Sequence, residues 1–490
     1  LVFLLATGFV ACSEDEGAQI LGGLYEKVDI TPEPGMNLVG RVTDGTGPIE
    51  GVVVSDGVTV TTTDAQGIYQ MRVKRNAPFV FVSVPEIPVE NGMPKIYKKI
   101  AMGDNDVVQR SFKLERTGKK ERFTLLALAD VQIGRDDEVT MLDEEVLPLL
   151  IPYVQQELEA PVYGISLGDL VWDNMPFHEV YKRRIRKIGV PVFQVIGNHD
   201  HNKAITVDAD ADASFEAAFG PTYYSYNIGD CHFIVLDDVL YTGSSSYTAD
   251  ITDEQMAWLE QDLKYVPKDK LIIIGLHIAT SRRNRPTSHV ADYKELYALL
   301  DGYNVRILSG HSHNNYTTTI SETIEENTLG AVMGAYWNGE ELCNDGSPRG
   351  YAVYEIEGNR IRNWYYKGTA FPREYQMYLY GPGEAVSEKY RDGLILNIFN
   401  WHTTWTVEVQ EDNAGWVTLP SDSNLRYEMD RRAYDFMFGD TKPEHRPTAE
   451  PESQNDHMFY YKPASESWGT VTVRASDPYG NVYTESIRNE

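Results

Sequence analysis

Cysteine is scarce, with three in 490 residues: Cys12, Cys231 and Cys343. A disulfide-stapled scaffold is excluded, because such folds need dense, paired cysteines. Cys231 and Cys343 are left as one disulfide or two separate buried thiols, and no spacing motif decides between them. Positive charge is also short. Lysine and arginine total 44 against 73 aspartates and glutamates, so 44 − 73 = −29. No nucleic-acid binding is expected, since phosphate backbones require a basic footprint. Long apolar runs are lacking as well. The opening stretch "LVFLLATGFVA" is too short to span a bilayer but suits the apolar core of an export signal. There is no His-Glu-x-x-His metalloprotease motif, and a serine nucleophile elbow is not expected.

What is present divides the chain by texture. In "FVAC", Cys12 follows the apolar stretch in a pattern that resembles a lipobox, the acylation site of bacterial lipoproteins. "SEDEG" then resembles the acidic tether of surface-directed lipoproteins. The expectation is a signal peptide over 1–12 ending at the lipidated Cys12, and a tether over 13–29. Residues 30–118 alternate in short runs with frequent turn residues, which predicts a β-sandwich. Residues 119–370 carry unalternating apolar runs such as "FTLLALA", "KLIIIGL" and "NVRILSG", as strands buried on both faces do. Helical stretches lie between them, including "TDEQMAWLEQDLKYV", opened by Thr252 as an N-cap with Gln255 three residues on. This is an α/β domain. Residues 371–490 return to a β pattern, interrupted by "DFMFGDTKPEHRPTAEPESQNDH", which predicts a long surface loop.

Chemistry concentrates where the buried runs of the α/β domain end. "LLALADVQ" delivers Asp130 and Gln132, and "GISLGDLVWDN" delivers Asp169, Asp173 and Asn174. "FQVIGNHD" gives Asn198, His199 and Asp200; "IIIGLH" gives His277; "RILSGHSH" gives His311 and His313. Parallel strands of an open sheet bring such loops together beyond their carboxyl ends. Any one of these endings is ordinary turn chemistry. Five in one domain are not.

In order and spacing these motifs resemble the calcineurin-like metallophosphoesterase superfamily over about 200 residues, and the three-part layout resembles its bacterial members with N- and C-terminal β modules. The resemblance implies a layered two-sheet α/β/β/α core flanked by two β-sandwich domains. It implies two divalent metal ions, one held by Asp130, Gln132, Asp169 and His313, the other by Asp169, Asn198, His277 and His311. Such a pair acidifies a bridging water and supports in-line displacement at phosphorus. It further implies His199 as proton donor to the leaving group or as a cation facing the phosphate, with Asp200 orienting it. Mn, Fe and Zn all suit the set. Gln132, where most members have His, favours Mn.

Trp172, Asn174, Tyr336 and Trp337 are candidate substrate contacts, with core packing as the alternative for the aromatics. Arg282, Arg283 and Arg285 in "TSRRNRP" offer phosphate partners, and His201 and His289 read as surface histidines. The expected protein is a cell-envelope lipoprotein, at the outer membrane or cell surface and held there by its lipid alone. It would hydrolyse a phosphate-ester small molecule or head group, mono- or diester. The same core could instead cleave nucleotide-diphosphate-linked compounds, or serve as a catalytically silent binding lipoprotein.

Overall fold

The computed structural model describes residues 29–83, 89–90, 93–103, 106–115, 118–243, 246–282, 289–337, 341–425, 428–439, 451–465 and 467–489. Cys12, Arg283 and Arg285 lie outside them. The apolar runs of the central region form two sheets. The first has the spatial order Val192–Val195, Val162–Leu167, Arg122–Leu128, Gly350–Glu357 and Arg360–Gly368. Its first three strands are parallel and its last two antiparallel. The second runs Tyr224–Ile228, Cys231–Val235, Leu271–Gly275, Asn304–Ser309, Ile324–Thr328 and Tyr316–Thr319, with four parallel strands between antiparallel edges.

Side chains alternate across a strand, so each sheet has two apolar faces to cover. Leu126 and Leu128 pack with Val139, Leu142, Leu150 and Tyr181 of the outer helices, while Leu125 and Ala127 join Phe233 and Ile273 of the other sheet. The sheets meet closely enough that a Cβ on Gly275 would lie 2.5 Å from Ile165 Cδ1. The result is the expected α/β/β/α layering. The helical stretch after Asp130 is not one regular helix. Pro148 and Pro152 lack the N–H that the i→i−4 ladder needs, and α-helical turns Asp136–Met141 and Leu147–Pro152 alternate with wider π turns Leu142–Val146 and Tyr153–Glu157. The helix Asp253–Leu263 starts as its sequence dictates, Thr252 accepting from the Gln255 backbone N–H.

The N-terminal β module shares a continuous core with this domain. Its sheets include Leu38–Thr43, Ile68–Met71, Val53–Ser55 and Phe79–Ser83, and Val54, Phe81 and Met71 belong to the same cluster as Trp258 and Phe233. Trp258 packs where the two modules meet. Fully buried, it meets Phe81 edge-on at 6.0 Å and donates from Nε1 to Ser55 Oγ at 3.1 Å. Trp258→Ala is expected to cost about 3–5 kcal/mol, the range for deleting a buried aromatic. Chemical denaturation would measure it, and a loss below about 1 kcal/mol would mean the two modules do not depend on this contact. The C-terminal region has its own core, in which Leu394, Leu396 and Ile398 of one sheet face Val407, Val409, Val471 and Val473 of another.

Candidate metal centre

The strand ends of both sheets deliver their polar residues to one place, and the backbone bends sharply to do it. Ten described non-glycine residues have positive φ, and eight of them are Asp130, Gln132, Asp169, Asp173, His311, His313, Tyr336 and Trp337. Each such residue carries of order 1–3 kcal/mol of strain, tolerated where the surroundings fix it. Gly197 shows how tightly the loops close: a Cβ there would lie 2.2 Å from the Asp169 backbone N.

The donor atoms fall into two groups joined by Asp169. In the first, His313 Nε2 lies 3.3 Å from Asp130 Oδ1, and Gln132 Nε2 lies 2.6 Å from Asp169 Oδ2 and 3.5 Å from His313 Nε2. In the second, His277 Nε2 lies 3.3 Å from Asp169 Oδ1, 3.2 Å from Asn198 Oδ1 and 3.2 Å from His311 Nδ1. His277 donates from Nδ1 to Leu167 O at 2.8 Å, which turns Nε2 toward the site, the usual outer support of a metal-ligating imidazole. Asp238 accepts from the backbone N–H groups of His277 and Ile278 and fixes that loop.

This arrangement demands positive charge. Burial disfavours the Asp169 anion, yet His277 and His199 outweigh it and hold the carboxyl well below its usual range. Burial likewise opposes a proton on His277, but Asp169 and Asp130 raise it to about 10. His311 goes down to about 3, because burial and the His277 cation both disfavour a second charge. Asp130 Oδ1 and Gln132 Oε1 are buried without a hydrogen bond from any described residue. Carboxylates, imidazoles and amide oxygens in this proportion fit Mn, Fe or Zn. Gln132 fits only after a half-turn of its terminal amide, which places Oε1 where Nε2 now sits.

His199 stands at the rim. Its Nδ1 is 2.9 Å from Asp173 Oδ1, its ring stacks on Trp172 at 4.0 Å, and its backbone N–H donates to Asp169 Oδ1 at 2.8 Å. Lys203 pairs with the other oxygen of Asp173. Burial lowers the His199 pKa, but Asp169 and Asp173 raise it on balance. Beside His311 opens a polar cavity of about 340 Å³ lined by Arg282, Ser312, Asn314, Tyr316 and Glu452 among others.

Family models match the chain in three consecutive pieces: N terminal of calcineurin-like phosphoesterase over residues 36–117, calcineurin-like phosphoesterase over 123–315, and C terminal of calcineurin-like phosphoesterase over 326–483. The chain belongs to the calcineurin-like phosphoesterase family. Similar solved structures include a dimetal phosphatase from Danio rerio (15% identity, covering 51% of this chain and 98% of that one, TM-score 0.36). A purple acid phosphatase from yellow lupin seeds is 13% identical over 66% of this chain and 67% of that one, TM-score 0.39. A 5'-nucleotidase from Candida albicans is 12% identical over 52% and 53%, TM-score 0.32. No curated protein matches.

In this family member the seven expected metal-ligand residues come together, but other expectations change. Asp200 does not meet the His199 ring. Its carboxylate accepts from the backbone of Gly197, Leu170 and Val171 and faces His178 Nε2 at 3.2 Å, so it ties two site loops together, and Asp173 is the residue on His199. Trp337 is core, 1% exposed, with its indole donating to Val131 O at 2.9 Å. Asn174 donates to Gly134 O at 2.7 Å and serves its own loop. Trp172 and Tyr336 do border the site, Tyr336 meeting Trp172 at 5.3 Å and His313 at 5.0 Å. His201 is fully buried and not a surface residue. Cys231 and Cys343 are separate buried thiols.

The supposed surface loop after residue 435 begins as the helix Arg431–Phe438, and its far part is buried at the cavity. There Glu452 pairs with Arg282 and accepts from Asn314 Nδ2 at 2.9 Å. Nothing in the Pro- and Glu-rich sequence announces that contact. A Gly-x-Ser-x-Gly spacing does occur at Gly164–Gly168, but Ser166 lies inside the strand Val162–Leu167 and is fully buried, so no nucleophile elbow forms.

Proposed function

We propose that the protein is a two-metal phosphoric ester hydrolase, exported and lipid-anchored at Cys12, acting on a mono- or diester. The observation that carries this reading is the pair of donor sets sharing Asp169, with the His199–Asp173 couple at their rim. Bound there, two divalent ions would supply an acidified water and neutralise the phosphoryl oxygens. The chain's own residues do the rest. His199, held through Nδ1 by Asp173 and stacked on Trp172, presents Nε2 to donate a proton to the departing oxygen. Arg282 reaches the adjoining cavity but is neutralised by Glu452, and Asn314 and Ser312 add polar groups. That lining suits an uncharged, hydrogen-bonding substituent on the phosphate more than a second phosphate. Mn²⁺ is the proposed occupant on the strength of Gln132.

The deciding experiment is hydrolysis of a panel of alkyl and aryl monoesters, diesters and nucleotide-diphosphate conjugates under Mn²⁺, Fe²⁺ and Zn²⁺. Turnover of mono- or diesters over the conjugates is the expected result. Preference for the conjugates would reassign the substrate, and no hydrolysis under any metal would leave a binding protein. For the anchor, "FVAC" before "SEDEG" supports the reading. Cys12→Ser is expected to move the protein from membrane to soluble fractions with esterase activity unchanged, since two or more acyl chains are needed for stable attachment. A mature N-terminus other than acylated Cys12, by mass spectrometry, would end the anchoring claim alone.

A further inference from the structure

A second group of metal-binding side chains lies away from the seven donors, on the segment that follows Gly-Asn-His-Asp. His201, Asp208 and Asp212 each offer one ligand atom, and these atoms all lie within 4.8 Å of one another. His201 is fully buried and Asp212 is 6% exposed. His201 Nε2 and Asp212 Oδ1 sit 2.9 Å apart as an ion pair inside the group, and neither atom has a hydrogen-bond partner outside it.

The outer contacts fix which atoms face inward. His201 Nδ1 is 2.9 Å from Gly197 O, so Nδ1 carries a proton and Nε2 faces the cluster, offering a lone pair there when the ring is neutral. A lone pair facing a carboxylate oxygen at that distance is repulsive unless a proton or a metal cation lies between them. Two ligand atoms at about 2.1 Å from one ion are about 3.0 Å apart at an octahedral right angle and about 3.4 Å apart at a tetrahedral angle, so the 2.9 Å found is closer to the octahedral case. Asp208 is positioned by the Tyr241 backbone N–H at 2.6 Å, and Tyr241 stacks on His201 at 5.0 Å. Behind them Asp237 is buried, and burial and Asp212 push its carboxyl well above the usual range. With Asp237 favoured in its neutral form, Asp208 and Asp212 are the two carboxylates that a divalent cation would match, and burial, with their mutual repulsion, also raises the Asp208 carboxyl.

We propose that His201, Asp208 and Asp212 form a third cation site, distinct from the two sharing Asp169, that takes a divalent transition ion of the Zn²⁺ or Mn²⁺ kind. One imidazole with carboxylates is the donor set such ions prefer, whereas Ca²⁺ and Mg²⁺ favour oxygen alone. The ion clips the segment from Gly197 to Asp212, and Asn198 and His199 lie on that same segment. Its role is to hold those two residues in place, without contact with substrate.

The test is metal content of the full chain after equilibration with Zn²⁺ or Mn²⁺ and desalting, with the Asp212→Asn variant alongside and Asp169→Ala as a second comparison. The expected result is one ion fewer per chain in Asp212→Asn than in wild type, and one ion retained in Asp169→Ala. Because the readout is a difference, it holds whether or not the Asp169 sites fill. Hydrogen exchange over residues 198–212 should also quicken in Asp212→Asn. Anomalous scattering at the metal edge from wild-type crystals needs no variant: a peak between His201 and Asp212 supports the site. Equal metal content in wild type and Asp212→Asn, or a map without that peak, overturns it. In that case a proton on His201, which Asp212 and Asp237 raise to about 9 against the effect of burial, is the charge that fills the gap.

Discussion

Asp169→Ala is expected to lower turnover at least about a thousandfold, equivalent to roughly 4 kcal/mol of transition-state stabilisation. The Asp169 carboxylate meets side chains of both donor groups: Oδ2 meets Gln132 at 2.6 Å, and Oδ1 meets His277 at 3.3 Å. Oδ1 also accepts the His199 backbone N–H at 2.8 Å, so the substitution disturbs the proton donor's loop as well. Without this carboxylate, His277 loses the anion that most raises its pKa, and the charge that attracts cations to both groups drops together. Metal content at the shared centre should fall along with activity. Gln132→Ala touches only the first group, so a loss of about 10–100-fold that excess metal partly restores is the contrasting result. Near-normal turnover in Asp169→Ala, with the protein shown to be folded by circular dichroism, would sink the shared-ligand assignment.

The fold and the convergence of the seven candidate metal donors were legible in the sequence for a shared physical reason. Buried parallel strands need unbroken apolar runs, and their carboxyl ends are where a chain can place polar residues without breaking a sheet. Asp130, Asp169, Asn198, His277 and His311 each sit just past such a run, so pattern and chemistry coincide. The rest depends on contacts far apart in sequence. In sequence Asp200, the immediate neighbour of His199, is the expected partner, but the turn at Asn198–Asp200 directs Asp200 inward to Leu170 and leaves Asp173, 26 residues away, facing the ring. Trp337 follows Tyr336 directly, and a one-residue step decides that one borders the site while the other is core. Glu452 is 170 residues from Arg282, in a stretch whose composition reads as solvated loop.

His199→Ala is expected to separate chemistry by leaving group. A general acid contributes about 10²–10⁴-fold when the departing oxygen must take a proton, as an alkoxide does, and little when it leaves as a stabilised 4-nitrophenolate. The variant should therefore lose about 10²-fold or more on an alkyl phosphate and much less on the nitrophenyl ester. The pH dependence follows from the environment of His199. Burial opposes its charge, and Asp169 and Asp173 raise its pKa; with Asp169 engaged by metal, Asp173 is the anion left to favour the charge, and activity on the alkyl ester falls as pH rises through the His199 pKa. Asp173→Asn removes this negative charge while its amide oxygen can still accept from Nδ1, so the alkaline limb of kcat should move to lower pH while the nitrophenyl ester shows no such shift. The Trp172 stack at 4.0 Å keeps the ring in place in that variant, which separates a change in proton affinity from a change in position. An equal loss on both esters would mean that His199 acts as a cation on the phosphoryl oxygens and transfers no proton, since that role is indifferent to the leaving group.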